Sequence, residues 1–337
     1  INFILRGVTI MKKFFKLIKV LLIISIIFIS SFAFINRGKI KFYISAVKKY
    51  MRFQESFSTS SNMDNLKGMD SMDMKNLVYK NTNNVPLTLD IYKAKKELPK
   101  GSPVILYVHG GAWVYGDKNI PNIISPILDT FRDEGFTIIS VDYELMKPGI
   151  LFDKLTSDVK DAVRWVYKNK DAYNFNTDEI GLLGISSGAH LSLLAGYSND
   201  NEFKGDPNLA NYPSKVKYIV DLLGPTDLNS LDFSKASWDI NNILNSIPDV
   251  KEVASKYSPI NYVHKNAPKT LMVYSKTDSL VPYKNCTELY NQCKSNGVFV
   301  ELVNLENSEH DFSNLNKEDI LSLSKGILKF IVQNSPL

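Results

Sequence analysis

Gly184-Ile185-Ser186-Ser187-Gly188 places a serine between two glycines, directly after the apolar run EIGLLGI (179–185) and before a stretch with helical periodicity. Glycines at those positions let a strand turn tightly into a helix, and the turn thrusts Ser186 Oγ out at the top of a sheet. The helix N-terminus beneath it favours developing negative charge. This is the setting a nucleophilic serine requires. A second glycine-rich segment, His109-Gly110-Gly111-Ala112-Trp113, ends the run PVILYVH (103–109). Small residues let backbone N–H groups approach a reacting carbonyl, so Gly111, Ala112 and Ser187 are the expected oxyanion donors. Gly110 and Trp113 are assigned to the substrate pocket, Trp113 either walling it or packing beneath the loop.

A serine at its ordinary pKa is a poor nucleophile and needs a histidine base oriented by a carboxylate. The chain has four histidines. His109 belongs to the glycine loop, His190 lies one helical turn beyond Ser186, and His264 sits in a Lys/Asn/Pro loop. His310 lies in ENSEHDF, just after the run VFVELVNL (298–305). The order serine, acid, histidine selects His310. For the acid, Asp278 ends KTLMVYSKTD and is favoured, while Asp227, ending VKYIVDLLGPTD one strand earlier, is the alternative.

These groups need a scaffold that brings them to one edge. LVYK (77–80) and VPLTLDIYK (85–93) read as an antiparallel pair turning at Asn81–Asn84. Apolar runs at 103–109, 136–143, 179–185, 216–223, 269–275 and 298–305 then alternate with helical patterns at about 120–134, 154–170, 187–197, 282–296 and 317–333. Apolar strands alternating with helices predict a mostly parallel sheet covered on both faces. Residues 228–262 interrupt the alternation and are expected to form a small helical cap at the edge where open α/β sheets bind ligands.

Of 337 residues, 44% are hydrophobic and 22% charged, which excludes collagen-like and wholly disordered classes. The net charge of +5 is uneven: residues 1–53 hold eleven Lys and Arg and no acid, leaving 29 basic against 35 acidic residues, or −6, in the rest. A negative body disfavours nucleic acid as a partner. Cys286 and Cys293, two helical turns apart at about 10 Å, are too distant for a disulfide and fall on a core stripe.

The basic excess flanks an apolar stretch, Val20–Ile35, covering about 24 Å as a helix. Residues 1–35 are expected to be a signal peptide, with Ser31-Phe32-Ala33 as its cleavage site, or an N-terminal membrane anchor, starting naturally at Met11. A basic segment and linker (36–73) then lead to the catalytic domain (74–337). This makes the expected location extracytoplasmic, secreted or held to the membrane by the N-terminal helix.

With these motifs in order, the chain resembles the α/β-hydrolase superfamily, and within it small bacterial carboxylesterases with an HGGxW loop. That group includes feruloyl- and acetyl-esterase-like enzymes and is related to kynurenine formamidase and hormone-sensitive-lipase-like esterases. The resemblance spans about residues 75–335 and rests on HGGAWVYGDK (109–118), VDYEL (141–145), SDVKDAVRWV (157–166), DEIGLLGISSGAHLSLLAG (178–196), GPTDL (224–228), SPINYV (258–263), KTDSLVP (276–282) and EHDF (309–312). It implies an α/β-hydrolase fold, a Ser186-Asp278-His310 triad with the HGG loop as oxyanion hole, and no metal or organic cofactor. The implied substrate is a small short-chain ester, acetyl or feruloyl esters of carbohydrate among them. Alternatives are a kynurenine-formamidase-type amide hydrolase and a catalytically silent surface-binding module. The chain departs from the family pattern at Glu144, where an arginine is common, at Ser275-Lys276, where glycine-aspartate is common, and at Ser187, where alanine is common.

Overall fold

The computed structural model describes scattered positions from Ser25 to Lys48, Met69, and residues 72–335 except 83–84 and 233–236. Apart from those scattered positions, the N-terminal hydrophobic helix and the linker expected before residue 74 lie outside the described residues. Among the described residues no helix is long and apolar enough to cross a membrane.

Among the described residues eight strands form one sheet: β1 (Met74–Thr82), β2 (Val85–Tyr92), β3 (Ser102–Val108), β4 (Thr137–Val141), β5 (Phe175–Ile185), β6 (Tyr218–Leu222), β7 (Lys269–Ser275) and β8 (Val300–Leu305). Their spatial order is β1-β2-β4-β3-β5-β6-β7-β8. β1–β2 and β2–β4 are antiparallel, and every later pairing is parallel. Between them run α1 (Ser125–Asp133), α2 (Phe152–Lys168), α3 (Lys170–Tyr173), α4 (Ser187–Tyr197), α5 (Trp238–Asn245), α6 (Val250–Lys256), α7 (Tyr283–Ser295) and α8 (Lys317–Asn334).

Side-chain alternation explains why the central strands are apolar throughout. In β3, Val104, Leu106 and Val108 face a core shared with α2, whereas Ile105 and Tyr107 face one shared with α1 and α8. Burial on both faces removes the polar alternation of a half-exposed strand. Cys286 and Cys293 are free and fully buried in the first of these cores.

Of the elements that begin elsewhere than their apolar pattern indicates, β5 and α1 are displaced furthest. β5 starts at Phe175, not Glu179, because Phe175 pairs with Ser102 through backbone groups that need no apolar side chain. α1 starts at Ser125, since residues 121–124 form a turn in which Ile124 N–H donates to Pro121. β1 is tied to α2 by Lys80, 4% exposed, whose ammonium meets Asp158 at 2.7 Å and Asp161 at 2.6 Å.

The segment 228–262 holds α5 and α6 between two short 3₁₀ turns, Leu228–Ser230 and Pro259–Tyr262. Ser237 and Asp249 cap the two helices with side-chain oxygens. The segment touches the glycine loop, where the Tyr115 hydroxyl bonds Ser237 Oγ at 3.2 Å and donates to the Asp239 carboxylate.

Candidate active site

The turn from β5 into α4 holds Ser186 at φ 52°, ψ −120°, a backbone conformation costing about 1–3 kcal/mol. Its N–H donates to Leu222 of β6 at 2.8 Å, and its carbonyl accepts from His190 of α4 at 3.0 Å. Gly188 makes the turn possible: any Cβ there would collide with the carbonyls of Val108 and His109, so α4 can sit against the glycine loop only without one.

Ser186 Oγ lies 2.7 Å from His310 Nε2, and His310 Nδ1 lies 2.8 Å from Asp278 Oδ2. A carboxylate oxygen accepts, so Nδ1 carries the proton and Nε2 presents its lone pair to the serine hydroxyl. The Asp278 side chain is sealed from solvent, and its other oxygen accepts from Leu280 N at 2.8 Å and Val281 N at 2.9 Å. Asp227 does different work. Its Oδ1 accepts from Asn229 N at 3.0 Å and caps a 3₁₀ turn.

The loops carrying Asp278 and His310 are joined to each other. The Ser275 and Thr277 hydroxyls both donate to the Ser308 carbonyl, the latter at 2.9 Å, and Lys276 pairs with Glu306 at 2.8 Å. Ser275-Lys276, a departure from the family pattern, thus serves as the joint. Asp319 of α8 accepts from Glu306 N at 2.7 Å and Asn307 N at 3.1 Å, fixing where the histidine loop begins.

The glycine loop runs through three left-handed residues, Gly111 (φ 129°), Ala112 (φ 49°) and Trp113 (φ 64°). Gly111 is obligatory, because a Cβ would strike the Tyr115 carbonyl. The N–H groups of Gly111, Ala112 and Ser187 donate to no acceptor among the described residues, which leaves them for a ligand. Gly110 approaches Ser186 closely, a Cβ there falling 3.5 Å from Ser186 Cβ. Tyr143 braces the loop from below: its ring stacks on His109 at 4.2 Å, and its hydroxyl donates to the His109 carbonyl at 3.0 Å and lies 3.4 Å from Ser187 Oγ.

Trp113 turns inward, at 5% exposure, beneath the loop instead of walling a pocket. Its indole N–H donates to His190 Nδ1 at 3.2 Å, and His190 Nε2–H donates to the Tyr257 carbonyl at 2.8 Å. Burial lowers the His190 pKa to about 3, so it stays neutral and structural. His264 likewise packs, its Nε2–H donating to Tyr197 at 3.1 Å. Tyr143, Trp113 and His190 lie within the motifs named above, but nothing local marks their contacts with one another or with Tyr257. The nearest sequence sign was the i+4 spacing of His190 from Ser186.

Beneath the nucleophile helix, Asp221 of β6 is fully buried, and desolvation raises its pKa to about 7. Its Oδ1 accepts from Gly224 N at 2.9 Å, and its Oδ2 lies 2.8 Å from the Tyr274 hydroxyl, which also bonds the Gly224 carbonyl. One hydroxyl hydrogen cannot serve both oxygens. A protonated Asp221 donates to Tyr274 Oη and frees that hydrogen for Gly224. Because the folded pKa lies above the ordinary aspartate value of 3.8, the folded chain holds this proton more tightly than the unfolded one. The contribution is therefore complete below about pH 4 and lost as pH rises through about 7. Asp221→Asn mimics the protonated acid and is expected to raise stability at pH 8 by up to about 4 kcal/mol, with little effect at pH 4. Denaturant unfolding at the two pH values checks this; an equal change at both would refute it.

The family model BD-FAE matches residues 89–293. Among curated proteins, "Esterase LipC" of Mycobacterium tuberculosis is 27% identical over 213 residues, 61% of this chain and 52% of that protein. The "Arylesterase" of Saccharolobus solfataricus is 27% identical over 200 residues, 52% of this chain and 63% of that protein. The chain spans about half the length of the mycobacterial relatives it matches. A truncated carbohydrate esterase from gut microbiota superposes with a TM-score of 0.64 at 24% identity, covering 80% of this chain and 99% of that one. Esterase 2 of Thermogutta terrifontis gives 0.64 at 22% identity, covering 80% and 97%. These structural likenesses give the fold: a mostly parallel, helix-flanked sheet of the α/β-hydrolase kind.

Proposed function

Because the chain belongs to the BD-FAE family, we propose that it is a serine carboxylesterase acting on short-chain esters through an acyl-enzyme. One observation carries the reading: Ser186, His310 and Asp278 stand in a continuous hydrogen-bonded line beside unused N–H donors. His310 Nε2 takes the proton as Ser186 Oγ attacks the ester carbonyl, and Asp278 holds the imidazole and balances its charge. Gly111, Ala112 and Ser187 N–H groups receive the oxyanion, worth about 3–4 kcal/mol per donor in comparable sites. His310 then protonates the leaving alkoxide, activates water in the same manner, and the acid departs from Ser186.

The proposed substrates are acetyl or feruloyl esters of carbohydrate, met outside the cytoplasm by an enzyme that its N-terminal segment exports or anchors. Support comes from the basic, acid-free flank of that segment and from esterases among the relatives, one structural neighbour being a carbohydrate esterase. The test is a panel of p-nitrophenyl acetate, propionate, butyrate and octanoate, methyl ferulate, acetylated xylo-oligosaccharides and N-formylkynurenine. The expected result is highest kcat/KM on acetyl or feruloyl esters. A preference for N-formylkynurenine would replace the ester reading with an amide one.

A further inference from the structure

A cavity of about 790 Å³ opens beside α2, and none of Ser186, Asp278 or His310 lines it. One wall is aromatic: Phe203 lies 5.9 Å from Tyr257 and 5.8 Å from Tyr262 between ring centroids. Most of the remaining lining is polar, Asn81, Asp153, Lys154, Glu202 and Lys204 included, with Ile150 and Pro207 as apolar exceptions.

The cavity reaches the same edge of the sheet as the triad. β4 ends at that edge with Val141, which pairs with Leu89 of β2, and β2 begins beyond it at Val85, opposite Thr82. Asn81 therefore lies past the edge, as do the first residues of α2. Contacts connect the two sites: Trp113 of the glycine loop packs on Phe152 at 5.2 Å, Phe152 on Tyr257 at 5.4 Å, and the Tyr257 carbonyl binds His190 of the nucleophile helix.

Resting on the carbohydrate-ester reading above, we propose that this cavity is a binding site for a neutral oligosaccharide, the non-reacting part of a glycan ester. A pyranose ring has an apolar C–H face that stacks on aromatic rings and a rim of hydroxyls that needs donors and acceptors together. The cavity offers both. Its volume falls within the range of about 300–1,000 Å³ typical of small-molecule sites. Lysines and carboxylates are mixed in the lining, so no single-sign field builds up to select a polyanion. The polar rim is equally unsuited to an acyl chain. Asp153 and Lys204 are exposed and make no bond among the described residues, which leaves both for sugar hydroxyls. Charge-assisted bonds of that kind are the stronger ones. Binding here would hold a glycan chain while an ester on it is presented to Ser186, lowering KM for glycan esters without altering small ones.

The test titrates Ser186→Ala protein calorimetrically with neutral xylo-, cello-, manno- and malto-hexasaccharides and with anionic hexagalacturonate. The expected result is saturable binding of at least one neutral hexasaccharide, weakened about tenfold or more by Phe203→Ala with Tyr262→Ala and several-fold by the near-isosteric Asp153→Asn. In the Ser186 background of the natural chain, the same changes should raise KM for acetylated oligosaccharide and leave p-nitrophenyl acetate turnover unchanged. Unchanged turnover also certifies folding. Absence of binding by every neutral hexasaccharide, tighter binding of hexagalacturonate, or binding insensitive to all three substitutions would overturn the proposal. Failure of the natural chain to hydrolyse p-nitrophenyl acetate would instead undo the esterase reading, since calorimetric binding does not depend on turnover.

Discussion

Ser186→Ala is expected to lower kcat on p-nitrophenyl acetate by about 10⁶-fold, and to abolish labelling by a fluorophosphonate. The side chain makes one bond, to His310 Nε2, so its removal deletes the nucleophile and leaves the turn's backbone bonds in place. Alanine keeps the Cβ that already stands at φ 52°, so the elbow gains no new strain. About 10³-fold acceleration over water should survive, because the oxyanion donors remain and can polarise a bound carbonyl for attack by water. Steady-state kinetics and gel labelling of both proteins measure this. Labelling that persists without Ser186 would sink the nucleophile assignment.

Asp278→Asn should cost about 10⁴-fold in kcat, the loss expected when the histidine's tautomer is inverted. The amide is nearly the same size, but an Nδ2–H facing His310 Nδ1 makes that nitrogen the acceptor. The imidazole proton then moves to Nε2, where it meets the Ser186 hydroxyl and leaves no lone pair to accept from it. Asp227→Asn provides the contrast. Asparagine also caps a turn well, so kcat should change by no more than about twofold and stability by less than about 1 kcal/mol. Comparing the two variants on one ester decides between the carboxylates, and the reverse ranking would reassign the acid.

Much of this site is legible in the sequence because its requirements are local. A strand ending in G-x-S-x-G and another ending in HGG each declare a tight turn and a small-residue approach. The order of Ser186, Asp278 and His310 follows from strands that succeed one another along the chain. The alternation of elements is equally plain, since strands buried on both faces are written as unbroken apolar runs. What escaped notice depends on partners distant in the chain. Lys80 is only the last residue of the run LVYK in the sequence, and nothing near it shows that Asp158 and Asp161, 78 and 81 residues away, enclose it. For Trp113 the sequence leaves pocket wall and packing beneath the loop both open, because nothing beside it reveals that His190 offers an acceptor below. Tyr143 carries no signal that its ring supports His109. β5 begins early for a related reason, because its first residues pair through backbone groups, on which composition is silent.

The joint between Ser275, Thr277 and the Ser308 carbonyl has a temporal consequence. Both its halves, and the acid and base they hold, follow strands β7 and β8, the last two of the sheet. A ribosome therefore releases Ser186 124 residues before it releases His310, and the glycine loop earlier still. Until β8 docks along β7, the serine has no base and remains an ordinary alcohol. On the esterase reading, hydrolysis is therefore expected only from chains in which β8 has paired with β7.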